Sequence, residues 1–280
     1  MAWLEWLTMP LGFAFMQRAI IAAIATGVVC AILSCFLVLK GWSLMGDAIS
    51  HAVLPGMVVA IITGMPIVLG AFGSGLFCAL SIGYINDRCR VKEDSVMGIV
   101  FSGMFALGLV LFSRIDTDQH LTHILFGNML GITPAEFWQM LGIAAVVSPI
   151  VLLKRHDLLL YCFDPSQARA LGMSVKRLHY GLLCLLALTI VAALQAVGVI
   201  MAIAMLIAPG ATAVLLCRRF DHMLLVATLV SVFSCISGTL ISFYIDGATG
   251  PCIVLTQGAV FLLAQLCRLA SRKTYPPWRD

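Results

Sequence analysis

An all-α, polytopic membrane fold is what this sequence predicts, and three observations predict it. Hydrophobic residues fill 61% of the 280 positions and charged residues only 11%, whereas soluble domains sit nearer roughly 45–50% and 25%. The mean hydropathy is +1.05. The apolar residues fall into recurring runs of about 20, the length at which a helix crosses a bilayer. That length of chain accommodates eight or nine crossings with short connections, so residues 1–280 are expected to form one transmembrane domain.

The elements follow in order. The opening stretch "MAWLEWLTMP" carries Glu5 and no Lys or Arg before Arg18, so it lacks the basic start of a cleaved signal, and its tryptophans suit an interfacial segment. Apolar spans are expected at 19–39, 44–64, 66–85 and 94–113, the last two separated by the charged "NDRCRVKE" at 86–93. A polar connection at 114–133, "RIDTDQHLTHILFGNMLGIT", precedes a span at 134–153. The longest connection, 154–178, leads to spans at 179–198 and 199–217, which are nearly continuous. Pro209-Gly210 in "MLIAPGATA" is a candidate break in the second of these, which leaves eight or nine crossings open. A short basic link at 218–222 precedes spans at 223–245 and 251–268 and a polar tail at 270–280.

Charge sets the orientation. With nine spans, 15 of the 17 Lys and Arg residues fall on one side, leaving Arg18 and Arg114 on the other. Lys and Arg accumulate on cytoplasmic loops, so the C-terminus is expected in the cytoplasm and the net charge of +4 reports topology, with no nucleic acid as partner. The ten cysteines include no CxxC pair and lie mostly in apolar runs, as buried small hydrophobes do.

Among 13 acids, Asp47 alone lies in the interior of an expected span, the others falling in loops, termini or span edges such as Glu93 and Asp94, and among the histidines His51 alone is internal. Both occur in "SLMGDAISHAVLPG", residues 43–56. An ionised side chain at bilayer depth costs on the order of 2.5–3.5 kcal/mol on insertion scales, so such a residue faces a cavity or a partner. Spacing i to i+4 puts the two Cβ atoms about 5–6 Å apart on one helical face. A carboxylate oxygen and an imidazole nitrogen there suit Mn(II), Fe(II) or Zn(II), whereas Cu(I) prefers sulfur. Two ligands are too few for a tight site, and a symmetric dimer would supply two of each. Two rival readings are mutual pairing that glues helices, and a proton-carrying Asp47 in an ion-coupled secondary transporter. Ser43 and Ser50 lie on or beside the same stripe. A start near 44 puts the pair in the first two turns of its helix, close to the cytoplasmic face unless Lys40 and Gly41 are drawn into the interior.

The connection at 154–178 contains "YCFDPSQARALGMSVKRLHY". Asp164 can cap a helix that Pro165 begins, that Gln167, Ala168 and Arg169 continue and that Gly172 stops, giving about two turns. Such a helix can dock another protein or lie on membrane lipid, with Arg169 and Lys176 on headgroup phosphates. Gln195 and Gln257 are expected to hydrogen-bond between helices, His120 and His123 to be solvated, and Asp246 to cap a turn. No GxxxxGK[ST], HExxH or GxSxG motif occurs, so ATP hydrolysis and intramembrane proteolysis have no constellation on this chain.

Four blocks, "MQRAIIAAIATGVVCAILSCFLVLKGWSLMGDAISHAVLPG", "HILFGNMLGI", "FDPSQARALGM" and "VGVIMAIAMLIAPGATA", resemble the permease family of bacterial manganese, zinc and chelated-iron ABC transporters. "ILFGN" and "DPSQARALG" look most like its iron/manganese branch. The resemblance implies a multi-pass protein of the bacterial inner membrane, a non-enzymatic permease with no permanently bound cofactor. Its partners would be a second permease, cytoplasmic ATPase subunits that bind the ATP, and an extracytoplasmic metal-binding protein. It also implies that Asp47 and His51 lie on the metal path and that 164–172 is the coupling helix for the ATPase.

Overall fold

The computed structural model describes residues 9–86, 88–89, 91–114 and 131–271. Eleven α-helices run through these residues: α1 Ala14–Lys40, α2 Ser43–Thr63, α3 Ile67–Asn86, α4 Glu93–Phe112, α5 Pro134–Leu153, α6 Arg155–Phe163, α7 Pro165–Ala170, α8 Val175–Val197, α9 Val199–Leu216, α10 Phe220–Ile245 and α11 Thr249–Ser271. Among the described residues there is no strand, and eight helices are long and apolar enough to cross a membrane. The chain is therefore an all-α polytopic membrane protein. The apolar core of α9, Ala202–Leu216, is shorter.

The first helix is the axis of the bundle. It packs against α5, α6, α8, α9 and α10, and 78% of its most apolar stretch is buried inside the protein, against 17% for α4, α5 and α11. Those outer helices turn apolar side chains such as Ile99, Val110, Trp138 and Leu262 outward, as a lipid-facing surface requires. Between α2 and α3 the backbones themselves meet. A Cβ at Gly56 would overlap the Gly70 carbonyl, and one at Gly70 would overlap the Gly56 carbonyl. Small residues at such a crossing let dispersion hold two helices where lipid gives no hydrophobic drive.

Three features differ from the sequence expectation. The near-continuous region divides where the two expected spans meet, at Gly198, whose φ of +81° and ψ of 171° are open to glycine alone, but the candidate break at Pro209 does not occur and α9 continues through it. Proline there removes an N–H that would bond the Met205 carbonyl. Ser34 of α1 braces the same turn: its hydroxyl accepts from Gly210 N at 2.9 Å and donates to the Ile207 carbonyl at 3.2 Å. Secondly, the connection after α5 contains the nine-residue helix α6. Leu158, Tyr161 and Cys162 recur at i, i+3 and i+4 and are buried against the end of the bundle. Gln257 is a third departure at side-chain level. It is fully buried, yet among the described residues neither amide atom has a hydrogen-bond partner.

Side-chain contacts fix the direction of the helices. Phe36 lies 5.1 Å from Phe220, Phe13 lies 6.0 Å from Phe243, and Arg155 pairs with Asp221 at 3.2 Å. Hence α10 runs antiparallel to α1 and starts at the end where α1 and α5 finish. Because α8 also starts there, α8 and α9 together carry the chain to the far end and back. The hydroxyls of Ser242 and Thr249, 2.9 Å apart, join α10 to α11, which returns antiparallel beside it. Asp246 occupies the left-handed C-cap of α10, as a turn residue. All ten cysteines are free, and burial pushes the Cys162 thiol on α6 up to about 11, which makes it an inert packing group.

Candidate functional site: an acid and an imidazole one turn into α2

The second helix begins at Ser43, directly after a corner at Gly41 and Trp42. Asp47 and His51 therefore occupy its second and third turns. Their side chains touch: His51 Nε2 lies 3.2 Å from Asp47 Oδ1, with 25% and 30% of the two side chains exposed. The i, i+4 spacing dictates that contact. The imidazole is then held by the neighbouring helix α4, where Phe101 stacks on it at 5.9 Å and Phe105 meets it edge-on at 5.1 Å. Its Nδ1 is buried with no hydrogen-bond partner. Pro55, four residues on, cannot donate to the His51 carbonyl, and Gly108 of α4 packs against Pro55 at that point.

Ser50 does not join the pair. Its hydroxyl is buried and donates to the Gly46 carbonyl at 2.7 Å, the usual intrahelical outlet for a membrane serine. Among the described residues no group of three or more His, Cys, Asp or Glu side chains converges. One chain thus presents one carboxylate and one imidazole, open on the side that α4 leaves free. Phe101 and Phe105 escaped the sequence reading because aromatic residues in an apolar run carry no distinguishing signal.

The corner that precedes the pair is covered. Lys40 is half-buried, its Nζ 4.6 Å from the Tyr161 ring centroid and 5.8 Å from that of Trp42, a cation–π arrangement with the α6 side chain. Lys40 is thus drawn into the protein. The histidine count also missed His179, which lies in α8 with its Nδ1 2.7 Å from the Tyr161 hydroxyl. Its place at the edge of an expected span disguised it.

The short helix α7 forms as its sequence dictates. Asp164 Oδ1 accepts from Ser166 N at 2.8 Å and Gln167 N at 3.0 Å, and Pro165 stands at the first position. At the other end Met173 N bonds the Ala168 carbonyl and Gly172 N the Arg169 carbonyl, each at 3.0 Å, a Schellman closure requiring the φ of +78° that Gly172 adopts. Ala168 is fully buried, whereas Gln167, Arg169 and the flanking Phe163 and Leu171 are exposed. The helix is a protrusion pinned by one alanine. His120 and His123 lie outside the described residues, as does the side chain of Gln195.

A helical bundle with a buried-span acid and a capped protruding helix defines a membrane transport subunit. Residues 12–268 match the model of the ABC 3 transport family, and the chain belongs to that family. It is 71% identical over 255 residues, 91% of this chain and 86% of the relative, to the chelated iron transport system membrane protein YfeD of Yersinia pestis. It is 49% identical over 262 residues, 94% and 86% of the two chains, to the manganese transport system membrane protein MntB of a Synechocystis strain. A solved structure of PsaBC from Streptococcus pneumoniae in complex with Fab superposes with a TM-score of 0.84 at 38% identity, over 93% of this chain and 94% of that one.

Proposed function

We propose that the chain, as one permease domain spanning residues 1–280, is the membrane subunit of an ATP-driven importer of divalent transition metal ions, with Mn(II) and Fe(II) as the first candidates and Zn(II) in the same ligand class. The observation that carries this reading is the Asp47–His51 pair, 3.2 Å apart and partly open, inside a membrane helix of a transport-family chain. A hard carboxylate and a borderline imidazole suit exactly this group of ions, and the names of the relatives point to iron and manganese. Two ligands hold an ion loosely enough to pass it on, and a second permease copy would double them.

The remaining parts have matching roles. An extracytoplasmic binding protein delivers the ion to the end of the bundle away from α6 and α7. ATPase subunits dock on α7 through Gln167, Arg169 and the exposed apolar pair Phe163 and Leu171. The end bearing α6, α7 and the C-terminal tail faces the cytoplasm, on the strength of the 15-to-2 distribution of Lys and Arg. Closure of the ATPase pair moves α7 and switches access to the site between the two sides.

Uptake of radiolabelled Mn(II) and Fe(II), with ATPase assembly assayed on the same preparations, tests the reading. Asp47→Asn keeps the shape and removes the charge, and His51→Ala removes the nitrogen ligand. Each should lower uptake about tenfold or more while assembly survives. Near-normal uptake in both variants would remove the metal role. Lost assembly in step with lost transport identifies a helix-gluing pair, and tolerance of His51→Ala alone identifies a proton-carrying acid.

A further inference from the structure

Where α1, α2, α3, α6 and α8 meet, a second cluster of side chains surrounds one imidazole. The Tyr161 hydroxyl of α6 lies 2.7 Å from His179 Nδ1 of α8. The ring of Trp42, the residue before α2, meets that imidazole edge-on at 5.3 Å. On α3, Gly83 leaves room for it: a Cβ there would stand 2.9 Å from His179 Nε2. Tyr161 is 3% and Trp42 2% exposed.

The placement of these residues along the chain gives the cluster a role. Tyr161 is three residues before Asp164, the cap of the protruding helix α7. Trp42 is five residues before Asp47, roughly 7 Å along the helix axis. Packing alone would be served by Phe and Leu, whereas a buried hydroxyl and imidazole must satisfy each other or cost stability. A directional bond of this kind ties the position of α6 to that of α8. From Tyr161, next to the α7 cap, contacts reach the corner before α2 both through His179 to Trp42 and through Lys40, whose Nζ lies over the Tyr161 ring.

We propose that Tyr161, His179 and Trp42 are positioning residues of the transport cycle, which transmit movement of α7 to the helix that carries Asp47 and His51. This inference rests on the permease reading above.

The test uses the full complex, permease with its ATPase subunits and binding protein, in proteoliposomes, with Mn(II) uptake and ATP hydrolysis measured together. Tyr161→Phe removes the hydroxyl and keeps the ring beside Lys40. It should leave assembly and the KM for Mn(II) within about twofold, lower maximal uptake about fivefold and raise ATP consumed per ion to match. His179→Leu should do the same, and the double variant should be no worse than either single one. Gly83→Ala, whose Cβ would stand 2.9 Å from His179 Nε2 and so displaces the imidazole that bonds Tyr161, should shift the ratio in the same direction. An unchanged ATP-to-metal ratio in Tyr161→Phe and Gly83→Ala overturns the proposal, and so does a loss of assembly proportional to the loss of uptake in both. Failure of the permease reading shows separately, as no ATP-dependent uptake by the unsubstituted complex, and removes this proposal with it.

Discussion

Single side chains do two different jobs in this bundle. Asp47 and His51 place ionisable groups one turn apart and partly exposed, and the aromatic rings of α4 restrict the imidazole. Ser34 instead braces backbone. It bonds both Gly210 N and the Ile207 carbonyl in the turn of α9 that contains Pro209. A buried N–H left without an acceptor costs about 1–3 kcal/mol. Ser34→Ala should therefore lower the unfolding free energy in detergent by that amount, while Thr63→Ala, which removes an exposed intrahelical hydroxyl bond, should change it by less than about 0.5 kcal/mol. Equal effects of the two substitutions would show that the Ser34 bridge does not hold α9.

At the scale of elements, α7 is notable for how completely its six residues are specified locally. Both ends are closed by the chain itself, and one buried alanine fastens it to the bundle. Gly172→Pro forces a φ near −65° where +78° is required and deletes the N–H that bonds Arg169. Arg169→Glu reverses an exposed charge without altering the backbone. Neither removes apolar surface from a membrane helix, so both proteins should reach the membrane folded. Each should then lose most metal-stimulated ATP turnover and uptake, about tenfold for the proline variant. Normal turnover with bound ATPase in both variants would rule out α7 as the docking element.

For the whole molecule, the bundle has one buried axis, α1, and lipid-facing helices around it. The contacts of α10 with α1 and α6 force α8 and α9 to act as an outward and return pair, which puts residues 9–13 at one end of the bundle and the end of α11 at the other. On the proposed orientation, with the Lys- and Arg-rich end cytoplasmic, a single cysteine at Tyr275 in a cysteine-free variant should resist membrane-impermeant thiol reagents in intact cells and react after permeabilisation. Labelling from outside would reverse the assigned orientation.

The helices themselves were legible in sequence because bilayer crossing imposes a length and a composition on each segment. The expected spans at 44–64, 66–85 and 94–113 differ from α2, α3 and α4 by one residue at either end, and that at 134–153 coincides with α5. The α7 motif was equally legible, since caps are local, and so was the Asp47–His51 contact, since i, i+4 geometry belongs to any helix. What the linear pattern left open depended on partners distant in the chain. The side chain that braces the Pro209 turn of α9 is Ser34, 176 residues away from Gly210. The aromatic clamp on His51 comes from α4, and the Tyr161–His179 bond joins two helices that each read as ordinary apolar or connecting sequence. Within apolar runs every phenylalanine and every small residue reads alike, so only the packed bundle decides which of them meets a functional side chain and which meets lipid.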